Sequence, residues 1–471
     1  MRASRSLLLL AWMTACGFEV PLGFDDAGPC ALEPRVAGHR VDATFGTCGV
    51  VRVDVAGVDN VGLGTQGLAI DPTGRALLAG TAGTPADRDL AVVRLTEAGA
   101  LDSTFGMNGV GQVSVTTADI GHGLSLSVDG TIFIAGESKT IGNEPIAVLG
   151  KLLPSGQPDP AFGVGGHEKV SVAFGNPGAC LGVWRRDDGS VVCTGTSWNV
   201  FPGPGDLVAI ARDGTAAQPA TGFGASGSTV VDFGGLDQRG NAGVATASGQ
   251  LVLPGRTSAG AASDFALARL DSSGRLDPSF TDARGLAGLV QVDLPGNDDE
   301  CLAAFAAPDG AVWCMGRART LANTFEGALV RVLASGAVDP SFGVDGRVVL
   351  PTFSAVWAMA PLDDGTFLIA GDAQGGAGTG ALALQVVDGA GRAVDPLVTF
   401  DVTSGPDSAR AVVRDAHGRL WVAGAANRDW VVLRFVRDAR PSTMRVANEC
   451  ASAPSWPLLL MALWVVLRRW R

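Results

Sequence analysis

Tyrosine is absent from this chain, and lysine occurs three times against thirty-two arginines. That bias reads as genomic base composition and carries little functional content. Charge is sparse: 17% of residues are charged, with a net charge of −12. No basic face is present, which excludes a nucleic-acid binder; an acidic balance mostly serves solubility. Histidine is confined to His39, His122, His167 and His417, and no cysteines stand in CxxC spacing, so a zinc centre lacks its ligands. There is no GxSxG elbow, HExxH helix or P-loop. GLGTQG (Gly62–Gly67) has the wrong spacing for a phosphate loop. The helical and LxxLxL patterns of ankyrin and leucine-rich solenoids are missing as well. Whether two carboxylates meet in space for glycoside hydrolysis stays open.

What is present is a repeat. LDSTFG (Leu101–Gly106) returns as VDATFG (Val41–Gly46), PDPAFG (Pro158–Gly163), LDPSFT (Leu276–Thr281) and VDPSFG (Val338–Gly343). Phe223 in TGFGAS and the worn VDPLVTF (Val394–Phe400) complete seven copies, at a period of about sixty residues. Each unit has three parts. Alternating runs such as Val51, Val53 and Val55 read as half-buried strands. Hairpins follow around Asp-Gly, as in VDGTIFIAG (Val128–Gly136) and APDGAVWCMG (Ala307–Gly316), where the turn needs φ > 0. The arm after the turn is apolar on both faces, as a strand between two sheets must be. Last comes a strand with one cation, such as DLAVVRL (Asp89–Leu95). Four strands per unit and seven units predict an all-β fold, a seven-bladed β-propeller of four-stranded antiparallel blades over 41–437. The chain enters on a first-part strand and leaves on a third-part strand. Pairing the two would zip the ring.

The G-x-L-D-x-S-F-G motif, the DG hairpin and the L-A-x-x-R-L strand together resemble the Delta-60 repeat family of bacterial surface and secreted proteins. That resemblance implies the fold and no agreed activity. The ends imply an address. Arg2 and Arg5, the apolar Leu7–Met13 and Met13-Thr14-Ala15-Cys16 read as a signal over 1–16. The site resembles a bacterial lipobox in which Cys16 is lipidated; an ordinary cleaved signal is the alternative. Residues 17–40 form a Pro/Gly/Asp-rich tether and 438–449 a linker. In 450–471, Cys450, the apolar Trp456–Leu467 and terminal arginines resemble MYXO-CTERM sorting tails; a plain membrane anchor is the alternative. Twelve residues, Trp456 to Leu467, fall short of the roughly 20 that span a bilayer. Either way the body lies outside the cytoplasm, as a monomer held to the membrane by lipid, tail or both, or released.

Cys180/Cys193 and Cys301/Cys314 are each 13 apart, with the first cysteine eight residues before the turn aspartates Asp188 and Asp309. Matching hairpin positions in two units predict two intra-blade disulfides. Cys30 and Cys48 remain as a third pair. A cation and an acid recur eight apart: Arg94/Asp102, Lys151/Asp159, Arg269/Asp277 and Arg331/Asp339. Repetition in each blade favours structural pairs, with Asp forming Asx-turns, over a ring of ligand contacts. Acids also precede the hairpins: Asp59, Asp119, Asp237, Asp298, Asp299, Glu300 and Asp407. Solvated loop acids are the readier account; calcium at Asp298, Asp299 and Glu300 is the rival, and no other cofactor is expected. Trp198, Phe201 and Phe325 lie in variable loops suited to protein or glycan contacts, or to tucked loop cores. The sequence favours a binding or scaffolding module. A propeller enzyme (lyase, glycosidase or quinoprotein) and a purely architectural protein are the alternatives.

Overall fold

A four-stranded antiparallel sheet recurs seven times. The computed structural model describes residues 35–438, apart from 56–65, 85, 141, 171–176, 202, 235–236, 259, 261, 297, 376–379, 404 and 428. Cys16, Cys30, Asp59, Cys450, the signal and the C-terminal tail lie outside the described residues. Among the described residues there is no helix long and apolar enough to cross a membrane.

Blade 1 comprises Leu68–Ile70, Ala76–Thr84, Asp87–Leu95 and Val110–Val113; blade 2, Ile120–Leu126, Ile132–Lys139, Pro145–Leu152 and His167–Val170. Blade 3 comprises Gly178–Arg185, Ser190–Trp198, Gly205–Asp213 and Ser228–Val231. Blade 4 opens on a broken strand, Asp237–Gly240 and Val244–Ala245, then Leu251–Ser258, Ser263–Leu270 and Leu289–Val292. Blade 5 is Asp299–Ala306, Val312–Arg319, Phe325–Val332 and Arg347–Leu350; blade 6, Phe353–Pro361, Phe367–Ala373, Leu382–Val387 and Val398–Phe400. Blade 7 is Asp407–Arg414, Leu420–Ala426 and Asp429–Arg437, completed by His39–Val41 and Val50–Val53 from the start of the chain. Val50 pairs with Leu433 and Val53 with Trp430. The ring is thus a seven-bladed propeller closed by its own ends, as the sequence predicts.

Second strands are buried on both faces, as in Ser190–Trp198, where every residue is buried. The core therefore lies between neighbouring sheets. The repeated phenylalanines Phe45, Phe105, Phe162, Phe223, Phe280 and Phe342 are at most 2% exposed, each filling an inter-blade gap. At blade 6 the place falls to Leu397, three residues after Val394, which holds the turn position.

The recurring cation–acid pairs are structural. Arg94–Asp102 and Lys151–Asp159 meet at 2.8 Å and Arg269–Asp277 at 2.9 Å, all nearly buried, and Arg331 pairs with Asp339. Each Asp also accepts the N–H two residues on, as Thr104 N does to Asp102 Oδ1, the predicted Asx-turn. The cation then donates to the next blade: Arg94 to Pro154 O at 3.0 Å, Lys151 to Gly214 O at 2.8 Å and Arg269 to Ala334 O at 2.7 Å. A fifth pair, Arg434–Asp42 at 2.7 Å, does the same across the closure, donating to Glu97 O.

Both predicted intra-blade disulfides are formed, with Cα separations of 5.6 Å for Cys180–Cys193 and 5.7 Å for Cys301–Cys314. Cys48 is disulfide-bonded too, while Cys30, its expected partner, is not among the described residues. Formed disulfides mark an oxidising, extracytoplasmic environment.

Candidate functional site

Antiparallel pairing sorts the connections. Asp-Gly turns and the Leu-Asp-x-Ser-Phe segments gather on one face; second-to-third-strand loops and blade linkers gather on the other, here the loop face. Near the loop face, the first strand of most blades slips register by one residue. The slips fall at Gly121/Gly123, Cys180/Gly182, Cys301/Ala303, Val356/Ala358 and Ala409/Ala411. A bulge bends the strand and re-aims the extra side chain. The bulged residues are His122, Leu181, Leu302, Trp357 and Arg410. Each stands seven residues before the one preceding the turn glycine; the same count gives Gln66 in blade 1 and Asn241 in blade 4. Seven blades therefore present seven side chains at one level, and the residue types differ widely.

Part of this ring is self-contained. Gln66 receives the Val183 N–H at 3.0 Å and donates to Gly243 O, binding blade 1 to blades 3 and 4. Asn241 donates to Cys301 O at 2.9 Å. His122, Leu181 and Asn241 line a cavity of about 380 Å³ at the loop face. Its walls add Glu137, Trp198, Arg239, Arg256, Glu300 and Arg317. Arg317 holds Glu300 at 2.9 Å, and Arg256 reaches Asp298 at 3.3 Å. Arg239 lies 5.2 Å from the Trp198 ring centroid. Next to the cavity, Arg410 stacks 3.7 Å over Trp357, whose indole N–H donates to Asp372 at 2.8 Å.

Burial pushes the Glu137 carboxyl above its ordinary value, with Lys139 opposing. Burial also lowers the Arg410 guanidinium; Asp372 opposes this and the like charge of Arg317 adds to it. Among the described residues, Trp198 Nε1 and Arg317 Nε are buried in the cavity wall without a hydrogen-bond partner. Both are donors.

The expected contact residues separate. Trp198 lines the cavity and is 8% exposed. Phe201 supports it edge-on at 5.3 Å. Phe325 sits behind Arg317 and Arg319, with guanidinium-to-ring distances of 4.5 and 5.5 Å. Three of the described loop acids are not solvated, contrary to the readier expectation, while Asp237, Asp298 and Glu300 are partly exposed. Asp119, Asp299 and Asp407 are at most 2% exposed. Asp119 accepts the Val115 and Thr116 N–H groups and the Thr116 hydroxyl; Asp407 does the same with Val402 and Thr403. They fold the blade linker onto itself. Asp298, Asp299 and Glu300 do not share a centre, because Asp299 faces the opposite side from its two neighbours and these are taken by separate arginines. Asp298 accepts from Arg256 and Ser263, and Glu300 pairs with Arg317. Asp299 instead joins Asp264 and Asp293. Burial pushes its carboxyl up to about 7; Leu294 N–H opposes this, and the charges of Asp264 and Asp293 reinforce it.

Residues 246–280 match a family model described as a domain of unknown function (DUF5122), beta-propeller. This segment contains the blade 4 hairpin, the cationic strand and LDPSF, the parts that resemble the Delta-60 repeat. No curated protein matches the chain in sequence. Among solved structures, the polysaccharide lyase Uly1 is 11% identical with a TM-score of 0.46, covering 87% of this chain and 94% of its own. A PL25 ulvan lyase bound to -[GlcA(1-4)Rha3S]- is 10% identical with a TM-score of 0.44, covering 81% and 95%. A protein of unknown function from Dyadobacter fermentans is 13% identical with a TM-score of 0.39, covering 72% and 98%.

Proposed function

We propose that this propeller is an extracytoplasmic binding module whose ligand seat is the loop-face cavity, and that the ligand is an anionic glycan. The observation that carries this reading is the pair of orphaned buried donors, Trp198 Nε1 and Arg317 Nε. A buried donor without a partner is costly, and a ligand rich in acceptors relieves it. Three arginines in the wall favour carboxylate or sulfate groups, which guanidinium recognises bidentately. The Trp198 ring suits a sugar face. The module is displayed at the cell envelope, with Cys16 and the tail after Cys450 as its attachments.

The test is calorimetric titration of the full chain with uronate-bearing, sulfated and neutral oligosaccharides. The reading expects binding to the acidic sugars, weakened at least tenfold by Arg317→Gln. Equal binding of neutral sugars, or capture of a protein partner that Arg317→Gln leaves intact, overturns it.

One observation favours an enzyme instead. Glu137, with its raised carboxyl, shares the cavity with His122, a pairing that suits general acid–base work. Chain cleavage of a bound glycan, lost in Glu137→Gln while binding persists, would establish that second reading.

A further inference from the structure

The three carboxylates at the blade 4–5 junction carry an inference separate from the glycan seat. Asp264 is the second residue of the third strand of blade 4, Asp293 follows its fourth strand and Asp299 opens blade 5. One oxygen from each lies within 4.8 Å of the others.

Sibling junctions show what is unusual here. Between blades 1 and 2 the same positions hold Asp89, Ser114 and Asp119. There Asp119 is saturated by two N–H groups and the Thr116 hydroxyl. Between blades 3 and 4 they hold Asp206, Asp232 and Gln238, and the Gln238 amide donates to Asp232 at 2.8 Å. Each of these two sites replaces one acid with a donor. The blade 4–5 site replaces none.

It also loses donors. Asp299 Oδ2 accepts the Leu294 N–H at 2.9 Å. The next residue, where blades 1 and 6 supply a threonine, is Pro295, which has neither N–H nor hydroxyl. Asp299 is 1% exposed, and its buried Oδ1 has no hydrogen-bond partner. The nearby Arg319 N–H donates to Asp298 O at 3.1 Å and only weakly favours the Asp299 carboxylate. A buried carboxylate oxygen without a donor, facing two further carboxylates, is strongly disfavoured unless positive charge arrives.

We propose that Asp264, Asp293 and Asp299 bind a hard divalent cation of the calcium class, clamping blade 4 to blade 5. All-oxygen, all-carboxylate ligation suits such an ion, with water or backbone carbonyls completing the shell. Asp293 is exposed, which gives the ion a route in.

The test is titration of the full, chelator-stripped chain with CaCl2, alongside thermal unfolding in CaCl2 or EDTA. Binding saturates at one ion, and calcium raises Tm by several degrees through preferential binding to the folded state. Asp293→Asn, at an exposed position the fold tolerates, weakens calcium at least tenfold and removes the Tm shift. Asp298→Asn, beside the site but committed to arginine and serine, keeps both. Identical Tm in CaCl2 and EDTA with no binding heat overturns the proposal. So does an Asp298→Asn chain that loses calcium while Asp293→Asn retains it.

Discussion

At the scale of single residues, the cation–acid pairs show what the turn face requires. Where the acid is missing, the cation is missing too. Blade 3 has Ala211 and Ala220 at the two backbone-bonded positions, and blade 6 has Val386 and Val394. Losing both charges is tolerable; losing one strands the other in a buried site. Asp277→Ala should therefore cost about 3 kcal/mol in denaturant unfolding. The double change Arg269→Val with Asp277→Val, copying blade 6, should recover most of it. The same pairs set the acid limit. Burial alone would raise the Asp102, Asp277 and Asp339 carboxyls. The hydroxyl and N–H of Thr104, Ser279 and Ser341, with the paired arginines, outweigh burial and hold all three low. A carboxyl lower in the folded than in the unfolded chain adds stability above its unfolded value of 3.8. That stability drains away as pH falls through the folded values. Thermal scans should rise from neutral pH to about 5, as the raised Asp299 and Glu137 carboxyls take up protons, and drop steeply below about 4; Asp277→Asn should flatten the drop. Four of these pairs are legible in the sequence because the partners stand eight apart. Arg434–Asp42 is not, since 392 residues separate them and only ring closure brings them together.

At the scale of the strand, the bulge decides what the loop face displays. The slip brings the first strand close against the second, and the second answers with glycine. A Cβ on Gly316 would lie 1.9 Å from Glu300 O, and one on Gly195 2.1 Å from Ala179 O. Gly316→Ala should cost roughly 2 kcal/mol by forcing the two strands apart, read as a lowered Tm with little change in far-UV signal. Strands, hairpins and disulfides could all be read from alternation, Asp-Gly and cysteine spacing. The ring of bulged side chains could not, because Gln66, His122, Leu181, Asn241, Leu302, Trp357 and Arg410 share no chemistry. Its trace is positional: small residues flank most of these sites, and the first disulfide cysteines, Cys180 and Cys301, stand immediately before two of them. The loop aromatics were visible, but which of them meets the cavity depends on Arg239 and Arg317, side chains from other strands. The acid cluster was half visible. Asp299 stood out in a run of three, while Asp264 and Asp293 come from neighbouring strands whose convergence needs the sheet.

At the scale of the whole ring, sequence repeat and blade are out of step by one strand. Each repeat begins with the outer strand of the preceding blade, so the first repeat supplies Val50–Val53 to blade 7. A chain starting at residue 66 should leave Asp429–Arg437 as a bare edge. We expect it to elute as oligomers or aggregates in size-exclusion chromatography and to melt well below the full chain.

That closing strand also fixes an order of events. During synthesis it follows only His39–Val41 among the described β segments, yet its hydrogen-bonding partner, Asp429–Arg437, is the last. For nearly four hundred residues of growth, Val50–Val53 has nowhere native to go, and six sheets can assemble before the seventh has its rim. The final latch is a long-range search by a short apolar ribbon, which makes that ribbon the natural target for whatever keeps the nascent chain from aggregating.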